Sequence, residues 1–241
     1  MKSRLLCVFL MLCAPAFCDS ISTSEAVIDW SGLAFTTTGT LHLDSIPFFF
    51  GFSDSLARTS GSITDHKTTT DSPAAWLTTG ATSTTTWPLG TASAIATTNN
   101  GLLHSSALVT TTDSSFFSSL ATAQTAISLT FVGTGTGTLI IQAPYTLTLD
   151  CTPDSPVTTA RVELSAGVLS ADTLTCAGAP ITKSGTLTAS RDLVNPTRGV
   201  SFTMRGAALA YAQTTVPEPA TIGMLALGIP VMFWFAYRSR K

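Results

Sequence analysis

Charged side chains are scarce in this chain of 241 residues, because Asp, Glu, Lys and Arg make up only 11% of it, against roughly 25% in an average soluble domain. Between positions 19 and 219 there are 14 acidic and 7 basic residues, which gives a net charge of about −7. The basic residues are scattered and form no stripe that could neutralise phosphates. We therefore expect no nucleic-acid partner and no binding to anionic lipid headgroups through this part.

Recognisable catalytic and metal-binding motifs are also missing. The three histidines, His42, His66 and His104, are far apart and show no HExxH or HxH spacing, and no G-x-S-x-G elbow occurs. Asp150 and Asp154 lack a calcium-binding loop around them, which favours solvated turn carboxylates. We predict no catalytic residue, no metal site and no cofactor.

Two interpretations of the Trp and Tyr residues stay open. Flat rings can stack on sugars, but tryptophan is more often a half-buried core residue, which is the interpretation we favour. The residues concerned are Trp30, Trp76, Trp87, Tyr145 and Tyr211.

Glycine alternates with threonine over residues 133–138. The segment lacks the lysine of a phosphate-binding loop and leads into an apolar, strand-like run rather than a helix. We interpret it as a flexible hairpin or linker.

The N-terminus has the order of a secretory signal peptide. Lys2 and Arg4 precede an apolar run over residues 5–13, and the small residues Ala16 and Cys18 stand before position 19. The run is too short to span a bilayer stably. We predict a signal peptide over residues 1–18, taken by the Sec translocon and cut by signal peptidase; lipidation of Cys18 is the alternative, which bulky Phe17 disfavours.

Removal of this signal leaves two cysteines, Cys151 and Cys176. An even pair in an oxidising compartment favours a structural disulfide. Two free buried thiols are the alternative.

The C-terminus predicts a single membrane helix. Residues 220–237 contain no charge and are long enough to span a hydrocarbon core, and the basic residues Arg238, Arg240 and Lys241 follow. The positive end should stay in the cytoplasm, which places the body on the other side of the membrane.

Pro217, Glu218 and Pro219 stand directly before this helix. The order of Pro-Glu-Pro, helix and basic end over residues 214–241 resembles the PEP-CTERM sorting signal of Gram-negative bacteria. This resemblance implies processing by an exosortase, a membrane transpeptidase, and a mature form in the cell envelope or outside the cell. The two prolines hold the backbone extended, as a peptidase cleft requires.

Residues 19–213 predict an all-β body. Polar residues, mostly Thr, alternate with apolar residues with period two at 145–150, 161–164, 173–176, 185–188 and 199–203, with Gly and Pro turns between these runs. We predict short antiparallel strands in a β-sandwich or jelly-roll-like domain.

Two classes of function follow from these patterns. The resemblance implies a non-enzymatic structural or adhesive protein associated with exopolysaccharide and biofilm matrix. A secreted hydrolase or a carbohydrate-binding module is the alternative, and two converging carboxylates in a deep pocket would favour the hydrolase.

Overall fold

The computed structural model describes residues 20–59, 64–71, 79–87, 90–99, 101–111, 118–152, 157–166 and 168–213. Among these residues no helix is long and apolar enough to cross a membrane. The predicted signal peptide, the Pro-Glu-Pro motif, the predicted membrane helix and the basic end all lie outside the described residues.

The described residues form 13 strands. In chain order they are β1 (Ser20–Asp29), β2 (Ala34–Thr37), β3 (His42–Thr59), β4 (Thr64–Asp71), β5 (Thr79–Trp87), β6 (Gly90–Asn99), β7 (Leu102–Thr111), β8 (Ser118–Thr134), β9 (Thr136–Cys151), β10 (Thr159–Ser165), β11 (Leu169–Thr175), β12 (Ile181–Val194) and β13 (Val200–Gln213).

The strands form two antiparallel sheets that pack face to face. Sheet 1 has the order β12-β9-β1-β7-β6-β5, with β2 paired to β9, and sheet 2 has the order β11-β10-β13-β8-β3-β4. Residues that point between the sheets are buried, whereas those that point outward are partly or fully exposed. The prediction of an all-β, antiparallel body is confirmed.

The strands are longer than the sequence pattern predicted. Each of the five alternating runs lies within β9 to β13 or reaches one residue beyond them, but β3 and β8 extend over 18 and 17 residues. In β8 the inward positions are filled by small residues such as Ala121 and Ala123 as well as by Leu129. Alternation of Ala with Ser or Thr gives almost no contrast in hydropathy, so a period of two was hard to recognise there.

The space between the sheets has two parts. One is an aliphatic and aromatic cluster in which Phe131 packs edge-on against Phe35 and Phe202, with ring centroids 5.2 and 5.1 Å apart. The other, which we call the alanine cluster, contains only alanines and Val109. Its members are Ala57, Ala92, Ala94, Ala96, Ala107, Val109, Ala121, Ala123, Ala208, Ala210 and Ala212.

Strand β1 begins and strands β9 and β13 end at one end of the stacked sheets, which we call the tail pole. The register places Ser22 opposite Cys151, and the Ser24 hydroxyl donates across the sheets to the carbonyl of Thr159, which lies opposite Leu209 of β13. The opposite end, the far pole, contains the connections at 38–41, 135 and 195–199.

The Gly-Thr segment forms an ordered corner at the far pole. Gly135 alone separates β8 of sheet 2 from β9 of sheet 1, and it has a φ of +85°. Its N–H donates to the Asn195 side-chain oxygen at 2.9 Å, and its carbonyl accepts from the Asn195 N–H at 2.7 Å. A Cβ at this position would overlap the carbonyl oxygen of Thr40.

A second crossover of the chain runs beside this corner. Residues 38–41 pass from sheet 1 back to sheet 2, and the N–H groups of Thr38 and Thr40 donate to the carbonyls of Thr138 and Thr136 at 3.0 and 2.9 Å. The glycines allow this close approach of two backbones. The segment connects two strands, as predicted of a linker, but its residues on either side of Gly135 belong to β8 and β9 rather than to a loop.

Polar side chains cover the edges of the sheets. The N–H of Thr84 on edge strand β5 donates to the Asp65 carboxylate of β4 at 3.0 Å. At the other side, the N–H of Thr188 on β12 donates to the Ser170 hydroxyl of β11 at 3.3 Å. Each bond occupies an edge N–H group that would otherwise be open to pairing with another strand.

Candidate binding surfaces on the two sheet faces

The outward positions of sheet 1 present a regular array of hydroxyl groups. Thr91, Thr110 and Ile21 lie in register on three neighbouring strands. The hydroxyls of Thr91 and Thr110 are 2.7 Å apart. The pattern recurs along the strands, as where Thr84 contacts Ser93 at 3.3 Å. This face is therefore mainly hydroxyl and methyl, with few charges.

A shallow depression of about 300 Å³ interrupts this array at the end of the β6–β7 hairpin. His104 stands between Thr97 and Val27 of the neighbouring strands, and its Nε2 lies 2.7 Å from an oxygen of Glu25. The remaining lining comes from Asn99 and Leu102. Planar polar groups beside two apolar side chains can contact both the hydroxyls and the C–H faces of a sugar.

Sheet 2 has a depression of about 210 Å³ lined by Arg161, Glu163, Arg205 and Ala207. The register places Arg161 opposite Ala207, and Glu163 opposite Arg205. Arg161 Nε lies 2.6 Å from Glu163, and an Nη of Arg205 donates to Gln124 at 2.6 Å. The methyl group of Ala207 forms the floor between two guanidinium groups.

The two outer faces differ in charge. On sheet 1 the outward positions hold four carboxylates, and no Lys or Arg occupies an outward position of this sheet within the described residues. On sheet 2 three arginines point outward with three partly or fully exposed carboxylates. The sheet 1 carboxylates are Glu25, Asp29, Asp150 and Asp192, and the sheet 2 residues are Arg58, Arg161, Arg205, Asp44, Asp54 and Glu163.

A polar cluster joins the two sheets at the β11–β12 side. The Tyr145 hydroxyl donates to Asp172, and Lys183 Nζ lies 2.7 Å from the same carboxylate. Gly185 stands opposite Tyr145, where a Cβ would come within 2.6 Å of the phenol oxygen. Sequence reasoning missed this cluster because its members come from three strands.

The cluster shifts the pKa of two of its members. Burial, and then the bond to Asp172, raises the pKa of Tyr145 to about 12. The bonds from Lys183 and then from Tyr145 hold the pKa of Asp172 below its ordinary value. The tyrosine therefore stays protonated and the aspartate ionised at neutral pH, which suits a structural clamp rather than a proton-transfer site.

A disulfide joins Cys151 at the end of β9 to Cys176 after β11, with Cα atoms 6.1 Å apart. It connects sheet 1 to sheet 2 at the tail pole. This is the bridge that the cysteine count favoured over two free thiols.

The structure does not bring the aromatic residues together as a sugar platform. Trp30 and Tyr145 are buried, at 5% and 8% exposure, whereas Tyr211 points outward on sheet 2. Trp76 lies outside the described residues, and so does the side chain of Trp87. The two buried rings follow the core interpretation.

The histidines are also dispersed. His104 pairs with Glu25, and His66 lies 2.7 Å from Asp54 on β3, while His42 is exposed at the start of β3. No group of three His, Cys, Asp or Glu side chains that could hold a metal ion occurs in the described part of the chain. Asp154, the second of the possible calcium ligands, lies outside it.

Arg161 and Arg205 were not identified from the sequence. Alternation in β10 puts Arg161 and Glu163 on one face, and this could be read from the pattern. The juxtaposition with Arg205 depends on the register between β10 and β13, which sequence spacing does not give.

The described residues define a class of protein, an all-β body of two antiparallel sheets that is closed by a disulfide and by polar contacts at its edges. Comparison with family models matches residues 215–241 to the PEP-CTERM protein-sorting motif. No curated protein and no solved structure gives a significant match to the chain. The chain is thus a PEP-CTERM sorting domain-containing protein. The motif indicates an exported protein that is targeted to an exosortase and sorted through the membrane.

Proposed function

We propose that this protein is a non-enzymatic structural or adhesive component of the cell envelope or extracellular matrix and associates with exopolysaccharide. The observation that carries the proposal is the sorting motif at residues 215–241, which begins two residues after the last strand ends at Gln213. A folded body directly followed by a sorting segment is what an exported surface protein requires.

The proposed route has three segments. Residues 1–18 direct export through the Sec translocon and are removed by signal peptidase. Residues 19–213 form the exported body. Residues 214–241 hold the precursor in the inner membrane through a helix at 220–237, with Arg238, Arg240 and Lys241 in the cytoplasm, until an exosortase acts near Pro217, Glu218 and Pro219.

The two depressions support a binding role over catalysis. Each contains a single carboxylate, and each carboxylate is already paired, Glu25 with His104 and Glu163 with Arg161. Hydrolysis of a glycosidic bond ordinarily needs two carboxylates on either side of the scissile bond. Open, shallow surfaces with hydroxyls and small apolar groups are better suited to binding a carbohydrate than to catalysis. A carbohydrate-binding module is therefore the second candidate function.

The sorting assignment predicts that replacing Pro217, Glu218 and Pro219 together with Ala blocks processing at the C-terminal end while export continues, because the extended segment that the exosortase recognises is lost. Intact mass and cell fractionation of the protein from its producing cells measure this. We expect the parent to lack the tail and to occur in the outer envelope or medium, and the variant to keep residues 220–241 in the inner membrane.

Pro180→Ala serves as the control, because Pro180 is an exposed proline in the turn before β12 and its loss should leave processing unchanged. If the triple variant matures as completely as the parent, the exosortase assignment is wrong. If the parent itself retains its tail, residues 220–237 act as a plain anchor.

A further inference from the structure

We infer that the depression between Arg161 and Arg205 on the outer face of sheet 2 binds the carboxylate of an acidic polysaccharide. This inference deepens the proposed association with exopolysaccharide and rests on it. The ligand is a uronic-acid polymer, and the outer face of sheet 2 contacts it.

The guanidinium groups have unused donors. Each guanidinium carries five N–H donors, and one nitrogen of each is engaged, Arg161 Nε with Glu163 and an Arg205 Nη with Gln124. No other side-chain partner of these two arginines occurs within the described residues. The remaining N–H groups lie around the small side chain of Ala207 and are available to a ligand carboxylate, for which the guanidinium fork is well matched.

The placement of the two arginines is fixed by strand pairing. Because Arg161 stands opposite Ala207, Arg205 is its diagonal neighbour on β13, and such neighbours are roughly 7–8 Å apart. The bonds to Glu163 and Gln124 hold both side chains over the sheet. Less side-chain entropy is therefore lost when a ligand binds than for two free surface arginines.

The distribution of charge favours this face for an anionic polymer. With a body of about −7, most of the surface repels polyanions, and the four outward carboxylates of sheet 1 do so directly. Sheet 2 carries no such negative excess, because its three outward arginines balance its three partly or fully exposed carboxylates. A polyanion should therefore approach sheet 2.

The size and surroundings of the depression favour one sugar of a polymer. Its volume of about 210 Å³ is below the ~300–1,000 Å³ of pockets that enclose a whole small ligand. Thr203 and Ser128 are in register beside it and offer hydroxyls. An extended peptide would instead pair with a sheet edge, whereas this site lies on a sheet face.

The test measures binding of the full chain, purified in a non-ionic detergent, to polygalacturonate and to its methyl ester, which has the same backbone without the charges. We expect binding to polygalacturonate that weakens with added salt and at least tenfold weaker binding to the ester. The double variant Arg161→Gln, Arg205→Gln should bind polygalacturonate at least tenfold more weakly than the parent.

Two matched controls separate the depression from general charge. Arg191→Gln with Arg198→Gln removes the same charge from exposed positions elsewhere and should change binding less than twofold. Ala207→Leu fills the depression without changing charge and should weaken binding at least tenfold, whereas Ala207→Ser should keep it. Thermal unfolding of each variant checks that the fold is intact.

The inference is overturned if both double variants lose binding equally, if the ester binds as well as the free acid, or if Ala207→Leu binds like the parent. It is also overturned if light scattering shows that the parent is a dimer and that the double variant Arg161→Gln, Arg205→Gln is not. The arginines would then contact the acidic face of sheet 1 on a second copy. None of these results affects the sorting assignment, which is tested separately by the Pro-Glu-Pro variant.

Discussion

Serine and threonine have two different roles in this protein. Outward hydroxyls make the polar face that the alternating pattern predicted, as at Thr146 and Thr148 of β9. Other hydroxyls are buried and bond across the sheets, as where Ser83 donates to the Ser55 carbonyl at 2.9 Å and Ser105 donates to the Gly206 carbonyl at 3.0 Å. Such bonds require the sheets to approach closely, which the alanine cluster permits.

The burial of these hydroxyls could not be predicted from the sequence, because a serine is polar by composition whether it faces solvent or the space between the sheets. Its burial depends on a backbone carbonyl of the opposite sheet being close enough to accept a hydrogen bond from its hydroxyl. The apolar inward positions of β9, such as Leu147 and Leu149, could be predicted because they contrast with threonine neighbours.

At the residue scale, Asp172→Asn should lower the free energy of unfolding at neutral pH. It should also make that free energy fall less steeply between neutral and acidic pH. The folded pKa of Asp172 lies below its unfolded value, so its contribution is complete above about pH 4 and is lost as the pH falls through the folded pKa. Urea unfolding at neutral pH and at about pH 3 measures the difference, which should narrow in acid.

Asp150→Asn, on the outer face of sheet 1, is the control and should change stability by less than about 0.5 kcal/mol. Tyr145→Phe should cost about 1.5 kcal/mol at neutral pH, because it removes a bond to a charged acceptor. A difference between Asp172→Asn and the parent that stays constant from neutral pH to about pH 3 would contradict the clamp.

At the scale of elements, the strands of the second half were the easiest to predict, since threonine alternates with large apolar residues in them. The Gly-Thr corner was harder. Glycine in a sequence indicates that the backbone is unrestricted, but the same residue is required where two backbones pass close together. Its contacts come from residues 38–41 and Asn195, which are far away in the sequence.

The corner predicts that Gly135→Ala is strongly destabilising, by about 2 to 3 kcal/mol, because the residue has a φ of +85° and a Cβ would overlap the Thr40 carbonyl. Gly80→Ala on β5 is the matched control, since among the described residues a Cβ there meets only a Thr97 methyl at 3.6 Å. Chemical denaturation measures the free energy of unfolding of both variants. Equal stabilities would show that the corner is not as tightly packed as described.

At the scale of the whole molecule, the stacked sheets are joined along both sides. Asp65 joins β4 to β5, and Asp172 and Ser170 join β11 to β12 and β9. The disulfide adds a covalent link at the tail pole. The sequence predicted the bridge from an even cysteine count, but that it joins the two sheets depends on the topology.

The double variant Cys151→Ser, Cys176→Ser should lower the free energy of unfolding by roughly 3 kcal/mol, as the bridge closes a sequence separation of 25 residues and restricts the unfolded chain. Urea unfolding under oxidising conditions measures this. The parent treated with a reductant should show the same loss. If the parent and the double variant unfold at the same denaturant concentration, the bridge does not restrict the unfolded state.

Because β1 begins and β13 ends at the same pole, chain segments that enter and leave the body can both reach one flat surface without crossing the sheets. A precursor held at both ends would then have its tail pole toward the membrane, and neither attachment would pull on the strands of the body. If both ends are held as proposed, the far pole with its glycine corner is the part of the body that lies furthest from the membrane.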